Sequence, residues 1–292
     1  MKWKRTGAEE VCVIEEQNGV SYMTLKGLRD IPWIRHMFTT RMGGVSQGDC
    51  ESMNLNFARE ESREHVLENY RRIGKIMGVE TDHFILSDQT HTTNVRRMTK
   101  EDAGKGVVRE RDYSDVDGMI TNDSGIVLTT IYADCVPLYF VDPVHKAVGV
   151  SHSGWKGTVN RMGKATIQAM EMEFGTRAKD LITAIGPSIC MDCYEVSRDV
   201  AEQFVREQLA EGIVFPKKNG QILSYREDSS MTAEKYQLNL WEANKRILLE
   251  AGVEEKNIYV TDICTCCNPD KLFSHRASHG RRGNLAAMIE IV

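Results

Sequence analysis

Short apolar runs of strand length recur along this chain, and the densest group lies in residues 126–158, IVLTTIYADCVPLYFVDPVHKAVGVSHSGWKGT. A β-rich run from Ile126 to Ala133 ends at Asp134-Cys135. A second, Val136 to Val141, stops at Asp142-Pro143, and a third, Ala147 to Val150, ends at Ser151-His152. The period then changes. Thr158 to Phe174 carries Val159, Met162, Ile167, Met170 and Phe174 at helical spacing, with Gly175 as a stop. The pattern places one thiol, Cys135, and one imidazole, His152, at strand ends, where rigid scaffolds hold reactive groups.

The flanking sequence continues the mixture. Val11–Glu15 and Val20–Leu25 surround Asn18-Gly19, a hairpin signal, and Ile34–Thr39 predicts a further strand. Ser62 to Met77 predicts a helix with Val66, Tyr70, Ile73 and Met77 on one face. Phe84–Ser87 predicts a short strand leading to Asp88-Gln89-Thr90-His91, so His91 also lies near a strand end. Lys100 to Ser114 reads as a charged, mobile loop. Asp115-Val116-Asp117-Gly118 reads as a turn whose carboxylates bond the backbone. Downstream, the expected elements are a strand at Asp180 to Gly186, an amphipathic helix at Val196 to Leu209 and a long polar loop at Pro216 to Gln237. A helix at Leu238 to Ala251 and a strand at Ile258–Ile263 follow. Phe273–His275 and Leu285–Val292 predict strands around a Gly/Arg loop.

Composition narrows the class. The 292 residues, 41% hydrophobic, suffice for one large domain or two ordinary ones. No apolar run approaches the roughly 20 residues of a membrane-spanning helix, and the first residues, MKWKRTGAEEVCVIEE, contain no apolar stretch of a signal peptide. The formal charge of -5, with both signs interspersed, argues against nucleic acid as a partner. Eight cysteines in a large, unsignalled chain read as reduced thiols in the cytoplasm. Cys190-Met-Asp-Cys193 is a C-x-x-C pair, but a structural zinc needs two further ligands. Cys264, Cys266 and Cys267 are distant in sequence, so these cysteines read as incidental.

Imidazole and thiolate are good ligands for zinc and copper, and catalytic zinc commonly takes three protein ligands. Cys135 and His152 offer two, and His91 is the best third by position; His145, on a turn, and His275, in the tail, are weaker. A Cys/His pair is equally a nucleophile with its base, and the local residues leave both readings open. For anions, the sequence offers Arg41 beside Gly43-Gly44, Lys156 next to a predicted helix start, and the basic tail with Arg276, Arg281 and Arg282.

Several blocks together carry a resemblance. They are TRMGGVS at 40–46, SMNL at 52–55, LSDQTHTTNV at 86–95, DVDGMIT at 115–121, TTIYADCVPLYFVDP at 129–143, VGVSHSGWKGT at 148–158, IGPSIC at 185–190 with YEV at 194–196, and LFSHR with GRRGN near the end. In this order they resemble the YfiH/YlmD-like family, also called the laccase-domain or multicopper polyphenol oxidase family, from about residue 30 onward. The resemblance implies an α/β (α+β type) fold, a layered mixed β-sheet sandwich with flanking helices, similar to the cytotoxic necrotizing factor deamidases. It implies one domain, taken as 1–292, and the hairpin signal around Asn18-Gly19 makes 1–26 an N-terminal hairpin extension. It also implies a metal, zinc or alternatively copper, on His91, Cys135 and His152. The implied activity is phosphorolysis of adenosine, inosine, guanosine and methylthioadenosine, with adenosine deamination, by a monomer. Arg41, Lys156 and Arg276 are the candidate phosphate contacts. Copper-dependent polyphenol oxidation and metal-free cysteine amide hydrolysis are the alternatives, and a non-enzymatic role in cell-division or peptidoglycan machinery is a third. The tail departs from the family pattern: His275 stands where Tyr is frequent, and Ala277-Ser278-His279 where an Arg-Asp-Gly run is common.

Overall fold

The computed structural model describes residues 2–7, 9–60 and 62–292. Strand alternation sorts the apolar side chains into separate cores, and those cores define the layers. One six-stranded sheet runs, edge to edge, through Cys12–Gln17, Val20–Leu25, Ile34–Thr39, Leu285–Ile291, Val127–Tyr132 and Phe84–Leu86. A second six-stranded sheet runs through Ile258–Val260, Ile182–Ile185, Val136–Asp142, Ala147–Ser153, Gly118–Thr121 and Val95–Arg97. Both are mixed: Phe84–Leu86 joins the first sheet in parallel, and Val95–Arg97 and Ile258–Val260 join the second in parallel. A small third sheet pairs Glu195–Ser197, Lys235–Leu238, Val214–Lys218 and Gln221–Ile222, all antiparallel.

The two large sheets pack face to face. Leu128, Leu285, Ala287 and Ile289 of the first meet Tyr139, Val141, Val148 and Val150 of the second. The intervening residues point the other way, as the two-residue period of a strand demands. Val127, Ala286 and Met288 pack outward on the helix Arg63–Met77, through its Val66, Tyr70, Ile73 and Met77. Leu138 and Phe140 pack on Ile167 and Met170 of the helix Met162–Phe174 and on Ile247 and Leu248 of Leu240–Glu250. The result is helix, sheet, sheet, helix, with the third sheet and the helix Arg198–Arg206 attached to the last layer. This is the mixed α/β sandwich expected.

The Asn18-Gly19 hairpin forms with Gln17 opposite Val20, and its second strand continues into the first sheet through Tyr22 and Met23. Elsewhere the structure differs from expectation. The predicted helix 158–174 is two helices, Trp155–Val159 and Met162–Phe174, broken at Arg161, which is left-handed with φ 63°. Arg161 bonds Glu250 at 2.6 Å and the Glu207 carbonyl at 3.1 Å, contacts no local pattern reveals. The expected loop 216–237 contains strand pairs around Asn219-Gly220, and Leu238 ends a strand rather than starting a helix. Residues 100–114 are turns gathered by Lys105, which bonds Asp102 at 2.8 Å and Asp112 at 2.7 Å, so they are not a loose loop. Phe273–His275 forms no strand, and residues 275–280 coil into turns. No helix among the described residues is long and apolar enough to cross a membrane.

Candidate active site

The strand Ala147–Ser153 is longer than its apolar run, so His152 lies within a strand and not past its end. It pairs with Val136–Asp142, with Val136 opposite Ser153 and Pro137 opposite His152. Cys135, just before that partner strand, therefore faces the turn at Gly154. A side-chain carbon on Gly154 would lie 3.0 Å from both Cys135 Sγ and His91 Cδ2. The missing Cβ is what lets the three groups converge.

His91 enters from the loop after Phe84–Leu86, with a left-handed backbone at φ 68° that is uncommon for a non-glycine residue. One ligand atom from each of His91, Cys135 and His152 lies within 4.8 Å of the others. The two imidazoles meet edge to face, with centroids 4.9 Å apart. His152 is buried, Cys135 half-buried and His91 exposed, so the group opens to solvent on the His91 side.

Asp117 organises this group. Its Oδ1 accepts from His152 Nδ1 at 2.7 Å, and its backbone carbonyl accepts from the His152 N–H at 2.7 Å. The same carboxylate accepts the backbone N–H groups of Thr90 at 3.1 Å, His91 at 3.2 Å and Thr92 at 2.8 Å. It thus fixes one histidine by its ring and the other by its loop. The sequence indicated carboxylates bonding backbone at this turn but missed the bond to His152. The only available signal was the spacing of the DVDG block before a strand.

Charges in the site reinforce one another. Burial raises the Asp117 carboxyl, but the His152 ring and the Thr92 bonds outweigh it and hold it at about 2. Burial lowers His152, yet Cys135 and Asp117 bring it up to about 9. Burial raises the Cys135 thiol, while His152 and then His91 bring it down to about 6. An ionised carboxylate only accepts, so His152 carries its proton on Nδ1 toward Asp117 and turns Nε2 toward Cys135. A thiolate and imidazole rings oriented by an outer carboxylate are a donor set that fits zinc.

The other predicted site residues fall elsewhere. Arg41 gives its Nε to the Glu51 carbonyl at 2.8 Å and its Nη1 to the Pro269 carbonyl at 2.9 Å. Arg276 bonds the carbonyls of Cys193 at 3.2 Å and Glu195 at 2.8 Å. Lys156 is exposed beside the Trp155 ring. Asp134, although next to Cys135 in sequence, is turned away by bonds from Thr265 Oγ1 at 2.6 Å and the Arg276 N–H at 2.7 Å. His145 pairs with Asp142 at 2.8 Å, outside the group. Arg282 is half-buried; its Nη1 bonds Asn284 Oδ1 at 2.6 Å and the Gly283 carbonyl at 3.3 Å, and its buried Nε has no partner among the described residues. Burial first, then Arg59, pushes the Arg282 guanidinium down, while the charges of Asp134 and Cys135 act on it favourably. A cleft of about 870 Å³, lined by Phe57, Arg63, Gln89, Arg111 and Tyr113, includes neither Arg282 nor the triad.

Comparison with known proteins gives the chain's family. Residues 35–292 match the family model described as multi-copper polyphenol oxidoreductase laccase. The chain is 33% identical over 257 residues to purine nucleoside phosphorylase YlmD of Bacillus subtilis, covering 86% of each. It is 30% identical over 284 residues to a purine nucleoside phosphorylase of Bacteroides thetaiotaomicron, covering 96% of this chain and 99% of that one. The crystal structure of YfiH from Bacillus licheniformis superposes with a TM-score of 0.84 at 26% identity, covering 96% of this chain and 99% of that one. YlmD from Geobacillus stearothermophilus gives 0.81 at 29%, with the same coverage. The chain therefore belongs to the multi-copper polyphenol oxidoreductase laccase family of YfiH/YlmD-type proteins.

Proposed function

We propose that this protein is a purine nucleoside phosphorylase acting on adenosine, inosine, guanosine and methylthioadenosine, with adenosine deaminase activity at the same site. The observation that carries the reading is the convergence of His91, Cys135 and His152 around Asp117, in a chain about a third identical to phosphorylases over most of its length. His91, Cys135 and His152 would hold zinc. Bound there, zinc supplies a Lewis acid and lowers the pKa of a coordinated water.

The chain's own residues do the rest. Asp117 keeps the His152 Nδ1 proton in place, so Nε2 stays available to the site. Its three backbone bonds hold the His91 loop on the open side. In phosphorolysis a phosphate oxygen bonds to C1′ as the C1′–N9 bond breaks, and the purine leaves with a proton. The incoming dianion needs a desolvated cation. Arg282, whose Nε has no partner among the described residues and on which the Cys135 charge acts favourably, joins Arg41 and Arg276 as a candidate for that role, although its Nη1 is already held by the Gly283 carbonyl and Asn284 Oδ1.

The test is a chromatographic product profile from adenosine with phosphate, for the parent and Cys135→Ala chains. Adenine, inosine or hypoxanthine formed by the parent alone is expected, and their ratio ranks the two reactions. No product from parent protein shown to carry zinc beyond what the Cys135→Ala chain retains would sink the proposal. Two alternatives have specific support. Cys135, His152 and Asp117 also form a nucleophile–base–orienter series, which predicts amide hydrolysis abolished by thiol alkylation in metal-free protein. Two imidazoles and a thiolate are also a copper donor set, which predicts blue absorbance and oxygen uptake on phenols.

A further inference from the structure

Four cysteines outside the triad are also brought together. Cys190 and Cys193 lie on the loop after Ile182–Ile185, and Cys264 and Cys267 on the loop after Ile258–Val260. Each pair has C-x-x-C spacing, and the two parent strands are parallel neighbours, which carries both loops to the same edge. The four sulfurs lie within 4.8 Å of one another. Cys193 Sγ and Cys267 Sγ are 3.5 Å apart, and Cys190 Sγ and Cys267 Sγ 4.0 Å. A tetrahedron of sulfurs around zinc at about 2.3 Å has edges of about 3.8 Å, whereas a disulfide needs about 2.05 Å. The observed spacings bracket the first value and exceed the second. The backbone N–H of Cys190 also donates to Cys264 Sγ at 3.2 Å, the kind of bond that stabilises a thiolate.

We propose that Cys190, Cys193, Cys264 and Cys267 form a structural tetrathiolate zinc site, separate from the His91/Cys135/His152 group. The four thiols release their protons to solvent as four zinc–sulfur bonds form, with no change of oxidation state. No open coordination position remains, so the site is structural. Its role follows from what its loops touch. The Ile189 N–H donates to the Asp134 carbonyl at 3.0 Å, and Thr265 Oγ1 to Asp134 Oδ1 at 2.6 Å. Asp134 has a left-handed backbone at φ 94° and immediately precedes Cys135. Zinc here clamps both loops around the residue that sets the direction of Cys135. Cys266, between two ligands in sequence, lies outside the four-sulfur group. Nothing in this cluster depends on the nucleoside chemistry of the triad.

The experiment measures bound zinc in protein purified under reducing conditions and passed through a mild chelator. The Cys135→Ala chain is expected to keep about one zinc per chain. Adding Cys193→Ser or Cys267→Ser should bring that to near zero, and adding Cys266→Ser should leave it unchanged. Cobalt in the Cys135→Ala chain should give the intense sulfur-to-metal absorption of a four-thiolate site. A folded Cys135→Ala chain that binds no zinc, whether its thiols are free or joined as disulfides by mass, overturns the proposal. So does cobalt without that absorption. The Cys135→Ala chain retains all four cysteines, so its zinc content and cobalt spectrum decide the matter even where a serine variant fails to fold.

Discussion

At the scale of single residues, two side positions decide the chemistry of the triad without joining it. Asp117 sets the His152 proton and holds the His91 loop, so Asp117→Asn loses its charge and presents an amide where an acceptor is needed. The expected result is a roughly 10–100-fold loss of zinc affinity and of kcat/KM, measured by competition with a zinc indicator and by phosphorolysis rates. Unchanged affinity would remove Asp117 from the site. Gly154 has an ordinary φ of -66°, so alanine is allowed by the backbone there. It is excluded by the 3.0 Å approach to Cys135 Sγ and His91 Cδ2. Gly154→Ala should therefore weaken metal binding and activity by at least about tenfold, with a stability change of under about 2 kcal/mol. A fully active Gly154→Ala chain would show that the triad tolerates spreading.

At the scale of elements, the central strand Leu285–Ile291 carries an unusual group. Glu290 is buried opposite Arg35, with Oε1 3.6 Å from Arg35 Nη1 and no hydrogen bond. Burial raises its carboxyl to about 7, against the lowering effects of Arg35 and His83. Between roughly pH 4.5 and 7 the folded state keeps a proton that the unfolded chain has released. Stability from this group is thus present at the acid end of that window and lost as pH rises through it. Glu290→Gln should match the parent near pH 4.5 and exceed it by about 3 kcal/mol above roughly pH 7. Urea unfolding at the two pH values checks this, and an equal difference at both would refute it.

At the scale of the molecule, both sulfur-containing sites join distant parts of the chain. The triad links two loops and a strand across the two large sheets, and the cysteine cluster links two loops at the edge of the second. Ligands that bind only the folded state add stability, about 4 kcal/mol at a thousandfold excess over Kd. Stripping zinc with a strong chelator should lower Tm by several degrees, and added zinc should restore it. The Cys135→Ala chain should keep most of that response, because the clamp around Asp134 is independent of Cys135. A parent Tm that does not move while zinc leaves would mean neither site contributes to stability.

Local pattern was enough for the strands and helices whose period is strong: the hairpin at Asn18-Gly19, the helix Arg63–Met77, and the strands that flank Cys135 and contain His152. It was also enough for the family, through the ADC and HSGWKGT blocks. These features are local, since a period of two or of 3.6 residues already states which face will be buried. Other features depended on how distant segments pack. Asn219-Gly220 carries the same turn signal as Asn18-Gly19, but polar Lys217 and Lys218 hide the strand beside it. Arg161 is a good helix former and breaks a helix because Glu250 and the Glu207 carbonyl hold it. Asp117 reaches His152 only because Gly118 pairs with Ser151. Cys190 and Cys193 read as incidental until parallel pairing of Ile182–Ile185 with Ile258–Val260 brought Cys264 and Cys267 beside them. For Arg161, Asp117 and the cysteines the deciding contact joins residues far apart in sequence. Sheet order sets such contacts, and no local window encodes sheet order.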